Sequence, residues 1–185
     1  MNPAVAAATI RRAAPADAAA IAQVRVDSWR ATYRGLIPDA YLDGMKIEAS
    51  TALWERVLAA APNTTSVFVA EDAGGVFGFA SGLMLSPPKH ECNAELSAIY
   101  LSRPRQRAGI GRRLVGAVAI AQKAHGATSL ITWVVAGNRG ARAFYERLGG
   151  ELLVEQPFQW DGMDLVEAGY GWRDLDALVA VTAPH

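Results

Sequence analysis

Gln106-Arg107-Ala108-Gly109-Ile110-Gly111 carries the sharpest chemical signal in the 185-residue chain. A strand candidate precedes it and a helical pattern follows. A turn in that place leaves consecutive backbone N–H groups facing a small concavity at the positive end of a helix. Glycines at 109 and 111 would let the backbone approach a diphosphate with no Cβ in the way. Arg103, Arg105, Arg107, Arg112 and Arg113 surround the turn with positive charge. The chemistry this suggests is phosphate binding. A Walker loop needs Gly-Lys-Ser/Thr, whereas Gly111 is followed by Arg112-Arg113. A dinucleotide fingerprint needs a third glycine where Leu114 stands, and a place in the first βα unit. Both fit poorly.

Other reactive residues are few. Cys92 is the only cysteine, so neither a disulfide framework nor a Cys-rich zinc site can form, and a reducing, cytoplasmic compartment is the simplest expectation. His90 lies two residues from Cys92, but no nucleophile motif surrounds the pair. The three histidines lack ligand spacing, so no metal is expected. Lys plus Arg total 18 and Asp plus Glu total 18, which gives no global field toward nucleic acid or an anionic membrane. No apolar run approaches the roughly 18 residues of a membrane span. Arg11 and Arg12 follow the Ala-rich start instead of preceding it, the reverse of a secretory signal.

The elements that must position the turn can be read from periodicity. Thr9 to Ala13 reads as an edge strand, and Pro15-Ala16-Asp17 opens a helix with Ile21, Val24, Ser28 and Trp29 at helical spacing. That helix should fail at Arg34-Gly35, with Pro38 confirming the break. A second helix is expected from Ile47 to Ala61. Ser66–Glu71 and Val76–Leu85 form a hairpin about Asp72-Ala73-Gly74-Gly75, closed by Pro87-Pro88. Ala94–Leu101 is a further strand, Gly109 to His125 a helix, and Ser129–Val135 a strand buried on both faces. Asn138 caps a short helix that stops at Gly149-Gly150. Leu152–Trp160 and Met163–Trp172 flank the hairpin signal Asp161-Gly162. This order describes one α/β domain around a mixed sheet, over 9–173, with 1–8 a flexible N-terminal tail and 174–185 a C-terminal tail.

Two blocks then give a resemblance. Gln106-x-x-Gly109-x-Gly111 resembles the (Gln/Arg)-x-x-Gly-x-(Gly/Ala) signature of the GNAT acyl-CoA transferase superfamily. Asn138-x-x-Ala141-x-x-Phe144-Tyr145-x-x-x-Gly149 is similar to that family's Asn-x-x-Ala-x-x-Phe-Tyr-x-x-x-Gly block. They stand in the family's order, with room for one helix and one strand between. Arg103, Arg105 and Arg107 depart from the family pattern, Arg107 taking a place usually held by Gly. The resemblance implies a mostly antiparallel sheet of about seven strands with splayed central strands and about four helices.

It also implies an N-acetyltransferase that moves an acetyl group from acetyl-CoA, its co-substrate, to a primary amine by direct attack in a ternary complex. The acceptor would be a small molecule or a peptide, and homodimers are common in the family. Carried over, Ile99 and Leu101 offer backbone groups to the pantetheine arm, Arg107, Ala108, Gly109, Ile110, Gly111 and Arg112 wrap the diphosphate, and Asn138 hydrogen-bonds nearby. Tyr145 would be the general acid for the thiolate and Glu95 the base, directly or through water. The acceptor pocket would involve Trp29, Tyr33, Phe158 and Trp160. The alternative is a non-catalytic acyl-CoA-binding sensor on the same fold.

Overall fold

A computed structural model describes residues 8–60 and 65–183. Its one sheet has seven strands: β1 (Thr9–Arg12), β2 (Thr65–Asp72), β3 (Gly75–Lys89), β4 (Cys92–Leu101), β5 (Leu130–Val135), β6 (Glu151–Trp160) and β7 (Met163–Trp172). Their spatial order is β1-β2-β3-β4-β5-β7-β6. Every neighbouring pair is antiparallel except β4 and β5.

That exception shapes the molecule. β4 and β5 are in register only from Ala94 to Leu96 and from Leu130 to Thr132. Beyond those three pairs, β4 stays with β3, and β5 stays with β7 as far as Val135↔Glu167. A bulge marks the parting. Ser81 faces Ala98 and Gly82 faces Leu96, so Ser97 is left without a register partner. A bulge bends its strand and re-aims the residues that follow.

Six helices cover the two faces: α1 (Ala18–Thr32), α2 (Asp39–Gly44), α3 (Ile47–Ala59), α4 (Ile110–Ala124), α5 (Arg139–Arg147) and α6 (Leu175–Thr182). On one face, Ile110, Leu114, Val115 and Val118 of α4 pack with Leu96, Leu130, Val134 and Tyr170. On the other, Ile21 and Val24 of α1 and Trp54 of α3 pack with Val67, Val69 and Phe79. These side chains alternate between faces along the strands, as strand geometry requires.

Two expectations from the sequence need correction, and one helix was not among them. The expected tail at 174–185 is, over its described residues 174–183, an ordered element: Asp174 accepts from the amides of Asp176 and Ala177, starting α6, and Leu175 and Leu178 are 2 % and 1 % exposed. The first helix does end before Arg34-Gly35, as expected, and the chain after Pro38 adds α2, an element the sequence pattern does not announce, held by Arg30, whose Nε donates to the Leu42 carbonyl at 3.0 Å and whose Nη2 donates to the Met45 carbonyl at 2.8 Å. Pro87-Pro88 do not end β3, which runs to Lys89 and turns at His90-Glu91, both at positive φ. The expected tail at 1–7 and the end of the second predicted helix at Ala61 lie outside the described residues. No helix among the described residues is long and apolar enough to cross a membrane.

Candidate active site

A cleft of about 950 Å³ opens where β4 and β5 part. Its walls come from both faces of the sheet. Ile99 and Leu101 pack with the α4 side, and Ala98 and Tyr100 with the α1 side, yet all four line the same cleft. The cleft therefore passes through the sheet, joining the start of α4 on one side to Ser28 and Thr32 of α1, and Tyr33 just after it, on the other.

The Gln106–Gly111 turn lies at one end. Gly109 is the residue before α4, at φ +79°, with no atom within 4 Å of where a Cβ would sit. Arg107 also has positive φ, +63°, a conformation that costs a side chain roughly 1–2 kcal/mol. Its place is the one usually held by Gly in the resembled signature, and the backbone keeps the glycine-like conformation. Gly111 is needed for another reason. A Cβ there would lie 3.2 Å from Phe144 Cζ and 3.4 Å from Leu101 Cδ1, so the second glycine lets α5 close on α4. Gln106 anchors the turn by donating Nε2 to the Leu101 carbonyl at 3.0 Å.

The five arginines divide in purpose. Arg105 pairs with Asp72 at 2.5 Å and stacks on Phe77, Arg113 donates to Ala8, and Arg103 donates to the Ala31 carbonyl at 2.6 Å. Arg112 donates to Ala183 at 2.8 Å but also lines the cleft. Arg107 lines it too, with no hydrogen bond or ion pair to the other described residues. Ala108 packs on the core and Ile110 is buried in it, so only their backbone can serve a ligand. The open Cβ position at Gly109, the unspent Arg107 and the helix start fit a diphosphate.

Asn138 and Tyr145 stand on the opposite wall. Asn138 Oδ1 accepts from Ala141 N at 3.1 Å, capping α5, and the Tyr33 hydroxyl lies against its side chain. Tyr145 is 5 % exposed but lines the cleft, and burial raises its phenol to about 12, with Thr132 pulling down and Tyr100 pushing up. Burial likewise raises Tyr33 and Tyr100. Three protonated phenols thus share the middle of the cleft.

The other expected residues fall differently. Glu95 lies before the bulge, its side chain 17 % exposed, 3.4 Å from Lys89 Nζ, and is not in the cleft wall. Because Ala94 and Leu96 face α4, Glu95 projects to the α1 side of the sheet. Trp29 packs in an aromatic cluster, 5.0 Å from Tyr33 and 5.8 Å from Trp160 by ring centroids. Trp160 Nε1 donates to the Tyr41 hydroxyl at 2.9 Å, tying β6 to α2. Phe158 faces Leu165 across the hairpin. Of the four residues expected around the acceptor, only Tyr33 lines the cleft. Lining residues not foreseen include Ser28, Thr32, Ser97, Tyr100, Thr132 and Trp133. Thr132 and Trp133 are hidden in the sequence because a strand at a splay looks like any buried strand.

Cys92 is buried, and burial raises its thiol. No group of metal-ligating side chains occurs among the described residues.

The fold agrees with comparisons to known proteins. Residues 20–150 match the acetyltransferase (GNAT) family, and the chain belongs to it. It is therefore an acyltransferase of the acetyltransferase kind. Over 171 residues it is 39 % identical to the uncharacterized N-acetyltransferase YuaI of Bacillus subtilis, covering 92 % of this chain and 95 % of that protein. The PaiA N-acetyltransferase of Thermoplasma acidophilum, solved with coenzyme A, has a similar fold: TM-score 0.68, 21 % identity, 87 % of this chain and 97 % of that one. YncA from Salmonella typhimurium, solved with acetyl-CoA, superposes at TM-score 0.66 and 20 % identity, covering 91 % and 94 %.

Proposed function

We propose that the protein transfers the acetyl group of acetyl-CoA to a primary amine by direct attack within a ternary complex, in the cytoplasm. The observation that carries this is the through-sheet cleft with Tyr145 in its wall, between the anion-binding turn and the α1 face. The turn from Arg107 to Arg112 would hold the diphosphate through its amides and the Arg107 and Arg112 side chains. Ile99 and Leu101 would pair their backbone with the pantetheine arm. The thioester then reaches the splay, and the amine approaches from the Ser28, Thr32 and Trp133 side.

The chain's own groups would manage charge and protons. The bulge at Ser97 frees backbone donors of β4 toward the acetyl oxygen, which gains charge as the amine nitrogen bonds to carbon. The C–S bond breaks, and Tyr145 gives its proton to the departing thiolate. A phenol held protonated by burial suits that role. Glu95, on the acceptor side but outside the wall, would take the amine proton through water.

The test is thiol release from acetyl-CoA over glycine, spermidine, kanamycin and an Ala-initiated peptide, with products checked by mass. Turnover saturable in both substrates, with Tyr145→Phe lowering kcat roughly 10²-fold while binding of CoA persists, is the expected result. Tight CoA binding with no amine acetylated would favour the sensor reading.

A further inference from the structure

Tyr145 rides on α5 between two residues that reach one atom of the sheet. The Tyr170 hydroxyl, on β7, accepts from Arg142 Nε at 3.0 Å and donates to Glu146 Oε1 at 2.7 Å. Arg142 is gripped further: Nη1 donates to the Ala136 carbonyl at 3.1 Å, and Nη2 pairs with Glu155 of β6 at 2.6 Å. Tyr170 is fully buried, and its ring lies 5.9 Å from that of Tyr145. Burial and the Glu146 carboxylate both hold its proton on, so the hydroxyl remains a donor.

Apolar packing fixes how close a helix lies to a sheet, but it resists rotation about the helix axis weakly. Directional hydrogen bonds resist it strongly. A hydroxyl roughly 8 Å from the axis moves about 1.4 Å for a 10° roll, and displacement of about 1 Å can cost 10²-fold in rate. Arg142 and Glu146 are four residues apart, one on each side of Tyr145 along the helix, so holding both against one point sets the roll of that turn.

We propose that Tyr170 is a positioning residue, its hydroxyl gripping Arg142 and Glu146 so that α5 aims the Tyr145 hydroxyl into the cleft. This rests on the reading of Tyr145 as general acid. It predicts an effect on the chemical step that passes through Tyr145 and disappears without it.

The experiment is a double-mutant cycle on the full chain with the best amine of the panel above, alongside CoA binding and thermal unfolding. Tyr170→Phe lowers kcat about 5- to 10-fold, because the Asn138 cap and the Glu155 and Ala136 ties persist, and leaves CoA affinity within about twofold. In the Tyr145→Phe background the same change has no further effect on kcat. Equal losses in both backgrounds, or a fall in Tm with kcat intact, would overturn the proposal. Should Tyr170→Phe fold poorly, exposed Glu146 gives a second route: Glu146→Ala lowers kcat, whereas Glu146→Gln, whose amide oxygen still accepts, restores it. Equal kcat for the two Glu146 variants would also overturn it. Full activity in Tyr145→Phe alone would instead overturn the general-acid reading, and the positioning role with it.

Discussion

Gly109 and Gly111 look equivalent in the sequence but fail for different physical reasons when replaced by Ala. At Gly109 the backbone is left-handed, at φ +79°, and nothing in the protein lies within 4 Å of the new Cβ. The folding cost is therefore conformational, about 1–2 kcal/mol, with no steric part. The remedy for that strain is a shift of the turn, which moves the amides before α4. Losing one or two amide bonds to a charged phosphate, at roughly 1.5–3 kcal/mol each, weakens CoA binding by about 10- to 100-fold or more. At Gly111 the backbone is helical. The Cβ meets Phe144 Cζ at 3.2 Å and Leu101 Cδ1 at 3.4 Å, so both must give by a few tenths of an ångström. Ala gains up to about 1 kcal/mol of helix propensity over Gly, which offsets that crowding. Gly111→Ala should fold within about 1 kcal/mol of the parent and bind CoA within about threefold. Calorimetric CoA titration and denaturant unfolding of both variants separate the effects. CoA affinity unchanged in Gly109→Ala, or reduced equally in both, would refute the assignment of the diphosphate to this turn.

Further predictions follow from the packing and the ionisable groups. Because burial raises Tyr145 to about 12, kcat should show no alkaline fall assignable to it below about pH 10; a Tyr145-dependent fall near pH 8 would contradict its role as acid. Tyr33, Tyr100 and Tyr145 are all raised, so the folded chain keeps these protons longer than the unfolded one. Their stabilising contribution is full below about pH 10 and is lost as pH rises through their raised values, about 12 for Tyr145, visible as a falling Tm. Arg11 donates to Asp17 at 2.7 and 3.0 Å and to Glu71 at 2.8 and 2.9 Å, lowering both carboxyls. That contribution is present above about pH 4 and lost as pH falls, so Arg11→Met should flatten the dependence of unfolding free energy on acid. Ending the chain after Arg173 removes two fully buried leucines at roughly 2–5 kcal/mol each and should lower Tm by about 10 °C or more. A drop of only a degree or two would return α6 to the status of a tail.

The sequence discloses what has a local cause. Asp161-Gly162 places both residues at positive φ, 47° and 79°, and the β6–β7 hairpin forms where that pair predicts it. Asn138 caps α5 by the bond its residue type suggests. His90-Glu91 makes a comparable turn without Asn or Gly, so nothing in the residue types distinguishes it from Pro87-Pro88, where the break was expected. α6 was missed because Leu175 and Leu178 are buried by α4, a partner some sixty residues earlier, and the close approach depends on Gly116 beside Thr182. The acceptor wall was the least legible part. The resemblance points to the first helix and the last hairpin, hence to Trp29, Phe158 and Trp160, but Trp29 and Trp160 pack with Tyr41 between α1, α2 and the hairpin, and Phe158 pairs with Leu165 across it. The part of the cleft proposed to face the amine is lined by Ser28, Thr32, Ser97 and Trp133, and only the bulge and the splay bring these together.

The central claim is that one cleft through the sheet holds acetyl-CoA with its diphosphate on the Gln106–Gly111 turn and its sulfur beside Tyr145. A crystal structure of the protein with CoA tests it most directly. The expected result is diphosphate oxygens about 3 Å from backbone nitrogens between Arg107 and Arg112, and the sulfur within reach of the Tyr145 hydroxyl between β4 and β5. A diphosphate bound away from that turn, or a sulfur on the far side of α5 from the splay, would contradict it.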